Sequence, residues 1–164
     1  MSILEDPALA RFVSGQMSMH VAACDARGFP TLVRGVGYRI DPGQPARLRV
    51  LVPQSQSEPV LRALAANGRI AVVLSEPASH RTLQLKGGDA RVESVEPADV
   101  AAMAPYVEAM VDHLRAFDTP EPFMRALLAC SAGELAVVSF TPAEVFGQTP
   151  GPQAGARLAS GEAP

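Results

Sequence analysis

The chain has no tryptophan, a single lysine, two cysteines and little charge, 19% of its residues. Each scarcity removes a class of function. Cys24 and Cys130 are too few and too far apart for a disulfide framework or a metal knuckle, so both read as small buried hydrophobes in a reducing compartment. Lys86 is the only lysine, and no Lys/Arg block accompanies it. A net charge of −3 argues against a nucleic-acid surface, since such binding begins with neutralising many phosphates, and no nucleic-acid partner is expected. No apolar run approaches membrane-spanning length, and residues 1–6 lack the basic start and apolar core of a secretion signal. A cytoplasmic protein without a membrane partner is expected. His20, His80 and His113 are isolated in sequence, and no metal site is expected from their spacing. Nucleophile elbow, catalytic triad and phosphate loop are all missing, which leaves covalent hydrolysis and nucleoside-triphosphate chemistry without support.

What is present is apolar residue content, 48% of 164 residues, enough to fill one core. The pattern predicts one domain over residues 1–148, with a helical insert at about 97–130. A Gly/Pro/Ala-rich segment, 149–164, reads as an arm or a disordered tail. Residues 7–13 predict a short helix, 17–25 a strand, and 31–40 its return strand across the turn at Ala26-Arg27-Gly28. A third strand spans 47–52, with Leu48, Val50 and Val52 on one side. Ser57 then caps a helix with Pro59 in its first turn, ended by Asn67-Gly68. Strands follow at 70–74 and from Thr82, the latter bending at Gly87-Gly88 into 90–93. Helical periodicity begins at Pro97, restarts at Pro105 and recurs over 122–130. Residues 135–140 read as the last strand. Six strands in mostly local order, with helices outside, describe a mainly β protein built as a small antiparallel barrel.

The most informative stretch runs from Ser79 to Gly88. Alternation at a period of two puts His80, Thr82, Gln84 and Lys86 on one strand face and Leu83 and Leu85 on the other. Thr and Gln are neutral donor-acceptor groups of the kind that read the edge of a heteroaromatic ligand, although a plain solvated face has the same pattern. Arg34 shares a predicted strand face with Leu32, Val36 and Tyr38. A guanidinium there needs a partner, such as an internal carboxylate, unless it belongs to a surface arginine that snorkels to water. Gln54, Ser55 and Ser57 stand where a strand hands over to a helix, a place that serves either as a phosphate cradle or as an ordinary capped start.

The run Arg81-Thr82-Leu83-Gln84-Leu85-Lys86-Gly87, followed by Ala90-Arg91-Val92-Glu93, resembles the Arg-Gln-Val-Arg-x-x-Gly strand of the pyridoxamine 5'-phosphate oxidase-like FMN-binding split barrels. The order of elements from about Met17 to Phe146 is similar to that family too. The resemblance implies a six-stranded antiparallel split β-barrel and a homodimer with flavin mononucleotide (FMN) at its interface. It also implies an oxidoreductase, passing electrons from a reduced nicotinamide to a small-molecule acceptor. Arg34 matches an arginine that contacts the FMN phosphate, Thr82 a glutamine that bonds the flavin ring, and Gln84 an arginine. His80 and Arg81 would lie at the barrel rim, with His80 placed to donate a proton. Together with Gln54, Ser55 and Ser57 these residues form the expected cofactor site; no side chain need act as nucleophile. The chain departs from the family at Ser57-Glu58-Pro59, where the oxidases have Ser-Arg-Lys. Losing charge-assisted bonds of about 1.5–3 kcal/mol each would weaken phosphate binding unless Arg34 and Arg81 compensate. Pyridoxamine 5'-phosphate oxidase itself is excluded, because its C-terminal signature needs a tryptophan. Two alternatives remain: a split barrel binding deazaflavin or haem, the latter through His20, His80 or His113, and a non-catalytic barrel that has lost its cofactor.

Overall fold

Alternating half-buried and buried residues make β1 (Ser18–Cys24), whose inward side chains Met19, Val21 and Ala23 enter the core. The structure, a computed structural model, describes residues 3–161. Helix α1 (Pro7–Ser14) precedes β1 and is capped by Asp6, whose carboxylate accepts from the Ala8 and Leu9 amides. With β1, the strands β2 (Pro30–Arg34), β5 (Ile70–Ser75), β6 (Thr82–Gly87), β9 (Glu144–Gly147) and β10 (Arg157–Ser160) form an antiparallel sheet ordered β10-β9-β6-β5-β1-β2. A second antiparallel sheet is made by β3 (Gly37–Asp41), β4 (Arg47–Pro53), β8 (Leu135–Phe140) and β7 (Arg91–Glu93) in that spatial order. Inward residues of both sheets, among them Val21, Val72, Leu85, Leu48, Val50 and Val138, belong to one apolar cluster.

Residues 31–40 are not the single return strand that their composition predicts. The Gly35 amide donates to Met19 O in the first sheet at 3.1 Å, and the next amide, Val36, donates to Leu51 O in the second at 2.8 Å. The chain changes sheets between two neighbouring residues. Leu32 and Arg34 therefore face outward on β2, whereas Val36 and Tyr38 are buried, and the four do not share a face. Among the described residues ten strands form two antiparallel sheets, and the larger has the expected six strands. The Gly87-Gly88 bend separates β6 from β7, which pair in different sheets, and β8 is followed by β9 and β10. Residues 157–160, within the segment expected to be an arm or disordered tail, pair with β9; residues 162–164 lie outside the described part.

Helix α2 (Gln54–Asn67) starts three residues before the predicted cap. Ser57 is instead buried in the first turn, donating its hydroxyl to Pro53 O at 2.5 Å. Gly68 ends the helix in the left-handed region at φ 65°. Helix α3 (Pro97–Arg115) runs unbroken through Pro105, the packing of Tyr106, Met110 and Val111 in the core offsetting the missing amide bond. A short α4 (Glu121–Leu127) packs on α3.

Helix α3 is held to the second sheet by charge. Arg49, on β4, is 1% exposed and bonds Asp99 of α3 through Nε and Nη2 at 3.0 and 2.7 Å; it also pairs with Glu93. Arg39 bonds Asp99 at 2.8 Å and Glu96 at 2.6 Å. Burial opposes the charge on Asp99, but the bonds from Arg49, the Glu96 amide and Arg39 outweigh it, and its carboxyl lies below the ordinary value. At the same helix, Tyr106 accepts from the Met19 amide at 3.0 Å, while Tyr38 accepts from Met17 at 2.6 Å and donates to Val13 O at 2.8 Å. Burial pushes the Tyr106 phenol up to about 12, and that of Tyr38 further.

Two predictions follow from this packing. Asp99→Asn leaves a buried guanidinium underpaired and should cost about 3 kcal/mol or more in urea denaturation. Asp99, Glu93 and Asp89, the last paired with Arg47 of β4 at 2.5 Å, all have depressed folded-state values, so their contribution is complete above the unfolded carboxylate pKa and disappears as pH falls through the folded ones. Unfolding free energy should therefore drop steeply below about pH 4, less so in Asp99→Asn. Separately, a Cβ on Gly87 would stand 2.7 Å from the Phe140 ring and 2.8 Å from Thr141 O, whereas one on Gly88 meets nothing within 4 Å. Gly87→Ala should lose about 1–3 kcal/mol and Gly88→Ala less than about 0.5 kcal/mol, measured the same way.

Candidate functional site on the outer face of the six-stranded sheet

Because successive strand residues point to opposite sides, the burial of Met19, Val21, Val33, Val72, Leu74, Leu83 and Leu85 sends their neighbours outward. Strand register then lines those neighbours up. Gln84 stands opposite Phe146 on one side and Val73 on the other, Val73 opposite His20, and His20 opposite Arg34. One row, Phe146-Gln84-Val73-His20-Arg34, thus crosses five strands. At about 4.8 Å per strand it measures roughly 14 Å from Gln84 to Arg34. A second row at the strand ends carries Thr82, Ser75 and Ser18. None of these side chains packs into either apolar cluster, and all are half-buried.

The expected site residues divide into those on this face and those elsewhere. Arg34, Thr82 and Gln84 are on it. Arg34 makes no hydrogen bond or ion pair, and has no internal carboxylate partner, among the described residues. Gln84 accepts from the Gln148 side chain at 3.2 Å, which leaves its own amide hydrogens directed to no partner among the described residues. Thr82 is more committed, its hydroxyl donating to His80 O at 3.0 Å and lying 2.8 Å from Ser75 Oγ. His80 is not part of the strand. It occupies the 76–81 turn with φ 58°, because the Glu76 amide bonds Arg81 O and the His80 amide bonds Glu76 O, closing the loop before β6 begins. Arg81 turns the other way, its guanidinium 4.7 Å above the ring of Phe12 on α1, and cannot compensate beside Arg34. Ser57 is sealed in helix α2, and Gln54 and Ser55 are exposed without side-chain bonds and without a link to Arg34.

His20 is the residue of this row that the reading of the polar strand missed. Burial, and then the charge of Arg34 across the ladder, hold its imidazole below its ordinary value. It is neutral at physiological pH, able to donate from one nitrogen and accept at the other. The alternation of β1 contains this signal, since Met19 and Val21 inward require His20 outward. Val73 follows in the same way from β5. Phe146 had no such signal, because β9 is too short to read. Among the described residues no cluster of three or more His, Cys, Asp or Glu is placed to hold a metal ion.

No family model matches the chain, and no curated protein matches it in sequence. Solved structures do match. A pyridoxamine 5'-phosphate oxidase-related, FMN-binding protein from Nostoc punctiforme superposes with TM-score 0.52 at 11% identity, covering 90% of this chain and 84% of that one. The fold is that of the pyridoxamine 5'-phosphate oxidase-related proteins. HupZ of Group A Streptococcus gives 0.51 at 15% identity over 88% of this chain and 94% of its own. A Clostridium acetobutylicum protein of the pyridoxinephosphate oxidase family, related to general stress protein 26, gives 0.51 at 12% identity over 87% of each chain. At these identities the likeness concerns architecture alone. Among the described residues no helix is long and apolar enough to cross a membrane.

The electrostatics of the row can be checked directly. In Arg34→Gln the His20 pKa should rise toward its ordinary value without reaching it, since burial remains; the histidine ring resonances followed by NMR against pH would measure this.

Proposed function

We propose that the outer face of the six-stranded sheet binds a planar phosphorylated cofactor of the FMN class between two copies of the chain. The observation that carries this reading is the single row in which a guanidinium with no partner among the described residues, Arg34, and a half-satisfied amide, Gln84, stand roughly 14 Å apart on one face. Their separation suits a ligand with a hydrogen-bonding ring at one end and an anion at the other. Val73 and His20 between them offer the ring a flat seat, and Phe146 closes the row. A half-open face buries a flat ligand only when something covers it, and Leu32, 62% exposed beside this row, marks the same surface as one that favours a second copy. Bound FMN would supply electron transfer from a reduced nicotinamide to a small acceptor; the chain's own residues hold the phosphate, orient the ring edge and exclude water. The fold likeness to FMN-binding proteins supports this assignment.

A haem reading draws on one observation, the place of His20 at the centre of the row, where burial and Arg34 favour the neutral imidazole that ligates iron. The visible spectrum separates the two. Protein purified without additives, or titrated with FMN, should absorb in the blue and release FMN on denaturation; an intense Soret band in its place would favour haem, and colourless protein that takes up neither would overturn the proposal. Arg34→Ala should weaken FMN binding by about 10- to 150-fold with little change in stability, and sedimentation should show a dimer.

A further inference from the structure

A second binding feature lies on the same face, in the row two residues along each strand from the one assigned above, and its lining residues are not those assigned to the cofactor. A groove of about 670 Å3 opens between the ends of β1, β5, β6 and β9, with β10 as one wall. Its volume falls within the range of small-molecule pockets, about 300–1,000 Å3. It exists because the residues at its base are small: Ala22 stands opposite Ala71, and Gly87 and Gly88 end the next strand. Three cations, Arg69, Lys86 and Arg157, line it against one carboxylate, Glu144. That carboxylate is taken, because Arg157 pairs with it at 2.6 Å. Lys86 faces Glu144 across the ladder yet makes no ion pair among the described residues; its ammonium rests 4.5 Å from the centroid of the Phe146 ring. Arg69 is exposed and its guanidinium has no partner among the described residues. Two cations without an ion-pair partner among the described residues thus share one groove with an apolar floor of Ala22, Ile70 and Ala71.

We propose that this groove binds a small oxyanion-bearing molecule, its phosphate or carboxylate held between Arg69 and Lys86 and its apolar body against Ala22 and Ala71. Both cations present donors to an anion, and low-dielectric walls concentrate their field. Lys86 lies three strands and two residues from Arg34, roughly 16 Å away, so this anion is distinct from the cofactor phosphate assigned to Arg34.

The single lysine makes the test specific. Acylation of Lys86 by an uncharged amine reagent, read by peptide mass spectrometry, is compared in potassium chloride, pyrophosphate and citrate at equal ionic strength. At ten times its Kd, a bound anion should slow Lys86 labelling roughly tenfold. Protection by pyrophosphate alone would identify a phosphorylated ligand, and protection by both anions a wider oxyanion class. Arg69→Ala, a surface change that leaves the fold intact, should abolish the protection. No protection beyond chloride, or protection that persists in Arg69→Ala, would overturn the proposal. Loss of FMN affinity in Arg69→Ala would make the groove part of the cofactor site and overturn its independence. A failure to bind FMN at all would count against the cofactor reading and leave the labelling result standing.

Discussion

The pairing of Arg49 with Asp99 governs how this chain distributes its helices. A guanidinium with almost no exposure must have carboxylates beside it, and the only segment that brings Asp99 to β4 is α3 laid along the second sheet. Gly37 permits the close approach, since a Cβ there would already meet Leu51 and the backbone at Met103. With α3 fixed in this way, both faces of β4 are covered, and every residue from Leu48 to Pro53 is buried. Helix α3 is thereby committed to the four-stranded sheet, while the candidate row lies on the six-stranded one.

The arrangement also explains why one face can look polar without being an ordinary wetted surface. Most solvent-facing strands carry long charged side chains, whereas this one carries Ala22, Ala71, Val73, His20, Thr82 and Gln84 at half exposure, with its charges confined to Arg34 and to the groove around Lys86. Cations at opposite ends of a neutral field suit anions better than they suit bulk water, and the two proposed sites divide them.

Much of this was readable from the residues, and the exceptions have physical causes. Alternation located β1, β5 and β6 and assigned Leu83 and Leu85 inward with Thr82 and Gln84 outward, because a sheet covered on one side leaves a period of two in its sequence. Arg34 was recognised as a charge in an apolar strand, but its face was misassigned, since nothing in a run such as Leu32-Val33-Arg34-Gly35-Val36 marks the residue at which hydrogen bonding passes from one sheet to another. Ser57 carried a capping signature that the preceding Pro53 displaced, and the hydroxyl turned back into the helix. His80 and Arg81 were extended into β6 by pattern, although the turn closed by the Glu76 and His80 amides ends only at Thr82. Short strands such as β9 and β10 hold too few residues for periodicity to register, so Phe146 and Arg157 were invisible until the register was known.

Tyr38 and Tyr106 are the only tyrosines of the chain, and their hydroxyls are joined to the backbone on either side of the entry to β1. Alkali can reach neither phenol while that entry is closed. Tyrosinate should therefore appear as one cooperative event when the strand detaches, and with no indole to obscure it, the ultraviolet absorbance of this chain becomes a direct gauge of whether its first strand is seated.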